Sequence, residues 1–105
     1  MQERKKQAYI EKGKAKLKRF DSQIMKLEAI MLETKADARL KQQDMIDNVK
    51  EKRNGVSEKL EDLKQSGAES WKELKASIKG AIKDLKLTIK QTPLELKKGQ
   101  KQSNV

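Results

Sequence analysis

The sequence predicts an all-α fold in which long amphipathic helices form an antiparallel helical hairpin or coiled coil. Apolar residues return at spacings of three and four, which keeps them on one side of a helix with 3.6 residues per turn. Gly and Pro number only 5 and 1, and no alternating run of β-branched residues indicates a strand. With 40% charged and 34% hydrophobic residues, the chain can form one or two apolar seams but no thick core.

The first predicted helix, about residues 4–53, carries a heptad pattern that is typical of a coiled coil. The second heptad position includes Phe20 and Leu27, and the pattern is thin around 34–42, where small side chains fall. The first heptad position is filled by Ile10, Leu17, Ile24, Met31, Ala38 and Met45.

The second predicted helix, about residues 57–91, repeats its apolar residues every eleven positions. Eleven residues make three turns of about 3.67 residues each, so these residues form a nearly straight stripe. An isolated helix cannot bury such a stripe, because packing against a partner supplies most helix stability. We therefore predict that another helix or a membrane covers the apolar stripe, with Trp71 as its aromatic anchor. The apolar stripe consists of Val56, Leu60, Leu63, Trp71, Leu74, Ile78, Ile82, Leu85 and Ile89.

Three arrangements of the helices fit the sequence, two with a turn and one without. Asn54-Gly55 is favoured, because both residues readily adopt the left-handed conformation that ends many helices. A turn there would place Trp71 opposite the small residues Thr34 and Ala38. The alternative is Ser66-Gly67, which begins an S-x-x-E capping box, and the third possibility is one unbroken helix.

The C-terminal end of the hairpin is expected near residue 91. The residue before a proline is pushed out of the helical region, so the second helix should end ahead of Pro93. Residues 97–105 show no periodicity and are expected to form a disordered basic tail. The hairpin domain would then comprise residues 1–96.

Lysines border the apolar stripe, and the chain as a whole has a formal net charge of +10. Such lysines could pair with acids of the facing helix, such as Glu28, Glu33 and Asp37, or reach lipid phosphates from an apolar layer. The chain has 22 Lys but only 4 Arg, the residue that reads guanine, so we do not expect sequence-specific nucleic-acid binding. The flanking basic residues are Lys64, Lys75, Lys79, Lys86 and Lys90.

The residues needed for most catalytic chemistry are missing. The chain has no His and no Cys, and therefore lacks the commonest general base and the usual transition-metal ligands. No Gly-rich phosphate loop is present. We predict a protein without catalytic activity, cofactor or metal. The charged start without an apolar segment predicts no secretory signal, and no run is long enough to span a membrane, so we expect a cytoplasmic protein that could contact membranes peripherally.

Three segments resemble small bacterial coiled-coil stress-response proteins, known in cyanobacteria and proteobacteria, and the likeness covers about residues 15–90. The resemblance implies a stress-associated, non-enzymatic helical protein and supplies no catalytic residue. The eleven-residue period is also similar to that of exchangeable apolipoproteins and late-embryogenesis-abundant proteins. The three segments are Lys35-Ala36-Asp37-Ala38-Arg39, Lys59-Leu60-Glu61-Asp62-Leu63-Lys64 and Ser66-Gly67-Ala68-Glu69-Ser70-Trp71-Lys72-Glu73-Leu74-Lys75.

The sequence favours a coiled-coil interaction or stress-response protein that acts through its amphipathic face. It would associate with copies of itself or with a helical partner protein. Two alternatives remain open at this point. One is a peripheral binder of anionic membranes that uses the face formed by residues 56–89. The other is a nonspecific, charge-driven nucleic-acid binder, whose affinity would fall steeply with salt.

Overall fold

The chain forms three helices that pack side by side, and the predicted all-α fold is confirmed. α2 runs antiparallel to α1 and α3, each helix packs against the other two, and the bundle measures 60 × 18 × 16 Å. The helices are α1 (Gln2–Leu32), α2 (Ala36–Gln65) and α3 (Trp71–Ser103). The computed structural model describes the backbone of residues 2–34, 36–67 and 70–103 and the side chains of residues 3–34, 36, 39–67 and 70–92.

The core is a single apolar seam that runs along the bundle, and all three helices contribute to it. The heptad residues of α1 and most of the apolar stripe meet there, so the third helix supplies the cover that a two-helix hairpin would lack. The buried apolar side chains are Ile10, Leu17, Phe20, Ile24, Leu27, Met31, Ile46, Val49, Val56, Leu60, Leu63, Trp71, Ile78, Leu85 and Ile89.

The first turn divides the predicted helix 4–53 between Leu32 and Ala36. The end of α1 tightens through backbone bonds from Glu33 N to Ile30 O and from Thr34 N to Met31 O. The last turn of α1 has no basic residue of its own. Arg39 of α2 reaches back instead and donates 3.0 Å hydrogen bonds to the carbonyls of Leu32 and Thr34. A cation thus satisfies carbonyls at the negative end of the α1 dipole.

The second turn lies between Gln65 and Trp71, at the alternative position that the sequence offered. The Ser66 hydroxyl donates to the Leu63 carbonyl at 2.8 Å, so it closes α2 and does not act as the N-cap of the predicted capping box. The buried Lys6 ammonium donates to the Ser66 carbonyl at 2.8 Å and places a cation at the end of α2. Ser70 directly precedes α3, and its carbonyl accepts the bond from Leu74 N, as the carbonyl of an N-cap residue does.

The favoured turn at Asn54-Gly55 is wrong, because both residues lie inside α2. No glycine among the described residues has a positive φ, so Gly55 does not form a left-handed helix end. The fully buried Val56 and Val49 fix this part of α2 in the core, and their packing outweighs the roughly 1 kcal/mol helix penalty of a glycine. Trp71 consequently does not lie opposite Thr34, and the side chain of Ala38 lies outside the described residues.

The predicted helix end near residue 91 is also wrong, since the backbone of α3 continues through Pro93 to Ser103. A proline removes one hydrogen bond, here to the Ile89 carbonyl, and clashes with that turn. The burial of Ile89 and Thr92 and the 2.7 Å bond from the Thr92 hydroxyl to the Thr88 carbonyl stabilise the preceding turn. Side chains from residue 93 onward lie outside the described residues, and the disordered tail at 97–105 stays a prediction.

Two glycines of the bundle should respond to alanine in opposite directions. A Cβ at Gly13 would lie 2.7 Å from Leu60 Cδ2, whereas a Cβ at Gly55 would meet nothing within 4 Å. We expect Gly13→Ala to lower the free energy of unfolding by about 1–3 kcal/mol, because α1 and α2 must separate or Leu60 must move. Gly55→Ala should raise it by about 0.5–1 kcal/mol through helix propensity alone.

Urea unfolding followed by circular dichroism measures both effects under the same conditions. A turn at Asn54-Gly55 would reverse the result for Gly55→Ala, which would then destabilise the protein. Equal effects of the two substitutions would contradict the close contact at Gly13.

A basic groove between α1 and α3 as the candidate functional site

Ion pairs tie two acidic residues of α1 to α2. Arg53 of α2 forms a bidentate pair with Asp21 of α1, with nitrogen–oxygen distances of 2.8 and 3.1 Å. Lys50 Nζ lies 3.6 Å from the Glu28 carboxylate. One interpretation of the sequence predicted that Glu28 pairs with the lysines that flank the apolar stripe. Glu28 instead pairs with Lys50 of α2, which is not one of those lysines. The carboxylates of Asp21 and Glu28 thus lie on the α1/α2 side of the bundle.

Similar contacts tie α3 to α2. Lys52 Nζ lies 3.1 Å from Asp84 and donates a 2.9 Å hydrogen bond to the Thr88 hydroxyl. One helical repeat further along, Lys59 donates to the Ser77 hydroxyl at 2.6 Å. The cations of α2 thus hold polar residues of α3 on the α2/α3 side of the bundle. The lysines on the third side, between α1 and α3, are therefore not paired with Asp21, Glu28 or Asp84.

The net charge of the protein is confined to two of its helices. α1 carries nine basic and four acidic residues, and α3 carries nine basic and three acidic residues. α2 carries seven of each. The exposed back of α2, which faces away from α1 and α3, is acidic. It consists of Asp44, Asp47, Glu51, Glu58, Glu61 and Asp62.

A groove of about 630 Å³ lies between α1 and α3. Its floor is apolar and partly open to solvent, since Ile30 and Ile82 are only half-buried. The exposed Gln23 lies beside the floor. The other floor residues are Phe20, Leu27 and Ile89, and the rim is formed by five exposed cations, Lys16, Arg19, Lys26, Lys86 and Lys90.

No carboxylate lines this groove, and none of its five rim cations forms an ion pair with a described side chain. A low-dielectric wall lined by one sign of charge focuses the electrostatic field and raises the local concentration of counter-charged groups. The groove therefore combines an apolar contact surface with a strong attraction for negative charge.

The structure places most of the apolar stripe in the core of the bundle and not on its surface. Seven of its nine members are buried, while Leu74 and Ile82 are partly buried against the core. Only Ile82 and Ile89 line the groove. Because the other members pack within the chain, a partner or a membrane could reach the whole stripe only if the bundle opened. The external role of the stripe stays a prediction.

The five predicted flanking lysines divide into separate groups. Lys86 and Lys90 belong to the rim of the groove. Lys75 lies near the start of α3, where it contacts aromatic rings. Lys79 is exposed on α3, and Lys64 is exposed in the last turn of α2. One flank of α3 thus faces α1, which explains why the sequence shows lysines mostly on one side of the stripe.

The contribution of α1 to the groove was not predicted from the sequence. The sequence does contain a signal for it, a second row of residues next to the heptad positions of α1. Residues 16, 19, 23, 26 and 30 follow one another at spacings of three and four and so share one side of the helix. Without the third helix, this row looks like a solvated charged face. Only the fold shows that it lies opposite Lys86 and Lys90.

Trp71 anchors the other end of the α1/α3 contact. The Lys75 ammonium lies 5.2 Å from the centre of the Trp71 ring and 5.5 Å from that of Tyr9, within the range of cation–π attraction. The Tyr9 hydroxyl donates a long, 3.4 Å hydrogen bond to the Lys75 carbonyl. The buried Trp71 indole nitrogen has no hydrogen-bond partner among the described residues. Lys75 thus joins an aromatic residue of α1 to one of α3.

Tyr9, the only tyrosine, should report this contact through its ionisation. Burial raises the pKa of its hydroxyl above the usual 10.0, so folding favours the neutral phenol. This contribution to the free energy of unfolding is fully present below the unfolded pKa of about 10 and is lost as the pH rises through the folded pKa.

Ultraviolet absorbance titration of the phenolate should therefore give a midpoint above 10.0 in buffer and a lower midpoint in concentrated urea. The variant Tyr9→Phe, which has no phenol, gives the baseline. The same midpoint with and without urea would contradict the packing of Tyr9 against α3.

Comparison of the chain with family models, with curated protein sequences and with solved structures gave no match. The resemblance to bacterial stress-response coiled coils stays a prediction. Within the described residues, no helix has a stretch both long and apolar enough to cross a membrane. The same residues contain no group of three acidic side chains close enough together to hold a metal ion.

Proposed function

We propose that this chain is a non-enzymatic interaction protein whose α1/α3 groove binds an acidic surface of a partner protein. One observation carries the proposal: five rim cations that form no ion pair with any described side chain surround an apolar floor, while Asp21, Glu28 and Asp84 are paired toward α2. A partner with carboxylates around an apolar centre satisfies both parts of this surface.

The chemistry of the rim suits carboxylates on a protein better than bases of a nucleic acid. Four of the five rim cations are lysines, which act as flexible point charges, and Arg19 alone offers a planar fork. Lysine stems can lie along the apolar floor while their ammonium groups meet carboxylates. Steering by such a surface raises the rate of association, and salt screens it over about 8 Å at physiological ionic strength.

A stress-associated role in the cytoplasm forms part of the proposal and is supported by the resemblance of residues 15–90 to bacterial stress-response coiled coils. A chain that binds by charge and by a partly open apolar floor needs no catalytic residue for such a role.

Self-association fits the proposal only as a contact between two different surfaces of the protein. Two copies that met through the groove face would bring rim cations against rim cations, which disfavours a symmetric dimer about that face. The acidic back of α2 is complementary to the groove of another copy, and such a contact joins two different surfaces. Head-to-tail contacts of this kind build rings or open chains.

The two alternatives from the sequence would use different surfaces of the bundle. An anionic membrane would have to contact the face of residues 56–89, yet seven of the nine stripe residues there are buried in the core. A nucleic acid would bind the rim cations through its phosphates and leave the apolar floor uncovered. A protein partner covers the floor as well, and for this reason we favour it.

Charge reversal in the groove tests the proposal with poly-L-glutamate as the acidic probe. We expect Lys26→Glu/Lys86→Glu to weaken binding by tenfold or more, as for charged groups near the centre of an interface. The matched control is Lys41→Glu/Lys64→Glu on α2, because both positions are exposed and lie outside the groove. Each pair of reversals lowers the net charge by the same four units from +10.

Fluorescence anisotropy of labelled poly-L-glutamate, with helicity of each variant checked by circular dichroism, measures the affinities. A loss confined to the groove variant supports the proposal. Equal losses in both variants would show that net charge alone drives binding and would overturn it. Tighter binding of phosphatidylglycerol vesicles or duplex DNA than of the acidic polypeptide would overturn it in favour of that alternative.

A further inference from the structure

The rim cations of the groove are distributed along its length and on both of its sides. Lys16, Arg19 and Lys26 lie along the α1 side, and Lys86 and Lys90 lie along the α3 side. The α1 side of the groove, from Lys16 to Ile30, spans about 21 Å at 1.5 Å per helical residue. An occupant must therefore carry negative charge at several points and on both flanks.

The apolar floor repeats along the same axis. Phe20 and Leu27 on α1 are seven residues apart, and Ile82 and Ile89 on α3 have the same separation. Seven residues correspond to about two helical turns, or roughly 10.5 Å. The spacing matches the repeat of apolar side chains on a helix that packs against two neighbours with knobs in holes.

We propose that the groove takes one acidic amphipathic helix of a partner protein, which completes a four-helix bundle. This inference rests on the proposed function and names the form of the acidic surface. The apolar side chains of the incoming helix, at i, i+3 or i+4, and i+7, cover the floor. Its Asp and Glu residues lie on both flanks of that stripe, where they meet the lysines of α1 on one side and those of α3 on the other.

Other occupants satisfy only part of this surface. A single-chain anionic amphiphile carries its charge at one end and leaves most rim cations unpaired. The back of α2 from a second copy carries carboxylates, but Leu40 is its only large exposed apolar residue among the described side chains. An acidic amphipathic helix supplies negative charge on two flanks and an apolar stripe between them.

Two synthetic peptides of identical composition test the inference on the unmodified protein. Each has about 18 residues, enough to span the groove, and contains only Leu, Ala, Glu and Gln. In the first peptide, Leu recurs every three or four residues with Glu on both flanks. The second has the same residues in an order that spreads Leu around the helix. Calorimetry gives the affinities, and circular dichroism reports helix formation on binding.

We expect the amphipathic peptide to bind about tenfold or more tightly than the scrambled one and to gain helicity in the complex. Equal affinity of the two peptides would overturn the inference while leaving an acidic partner intact. If neither peptide nor poly-L-glutamate binds at low salt, the proposed function itself fails. Tighter binding of laurate or of phosphatidylglycerol vesicles than of the amphipathic peptide would overturn the inference as well.

A variant of the protein gives the reciprocal test. Ile30→Gln/Ile82→Gln removes apolar surface from the two half-buried floor residues without changing charge. It should abolish the preference for the amphipathic peptide, so that the two peptides bind with equal affinity. Retention of the full preference by a folded variant would contradict the role of the floor. The comparison of peptides on the unmodified protein decides the question if this variant unfolds.

Discussion

Burial of one apolar seam by the chain's own three helices is the constraint on which the rest of the structure depends. The chain has too few apolar residues for a second core, so charged and polar residues dominate its surface. The seam also fixes how the helices approach, since Gly13 lets α1 lie against Leu60 of α2. Cations that cap the helix ends, Arg39 for α1 and Lys6 for α2, then stabilise the turns that make this packing possible.

The seam determines the charge distribution as well. Once α2 pairs Lys50, Lys52 and Arg53 with acids of its neighbours, the described residues that line the α1/α3 groove include five cations and no carboxylate. An acidic back of α2 and a basic groove between α1 and α3 therefore arise from one arrangement of ion pairs. Exposed pairs of this kind contribute little stability, about 0–1 kcal/mol each, and their main effect is to sort charge between the sides of the bundle.

Periodicity revealed which residues are buried but not where the chain turns. Ile78 and Leu85 were recognised from the eleven-residue repeat, because a spacing of three and four reports a helical face wherever the helix ends. The first turn has no glycine or proline signal, and it depends on Arg39 reaching back to carbonyls that become neighbours only after folding. Asn54-Gly55 has a strong local signal, yet the burial of Val56 overrides it. The groove escaped detection because its two sides lie on helices separated by the whole of α2.

The most direct test of the three-helix closure uses the single tyrosine and the single tryptophan of the chain. The bundle brings both ring centres within 5.5 Å of the Lys75 nitrogen, whereas a hairpin turning at 54–55 would hold Tyr9 and Trp71 about 40 Å apart along the helix axis. The excitation spectrum of Trp71 emission should contain a tyrosine contribution that is absent in Tyr9→Phe and is lost in urea. An excitation spectrum identical to that of Tyr9→Phe in buffer would contradict the three-helix bundle.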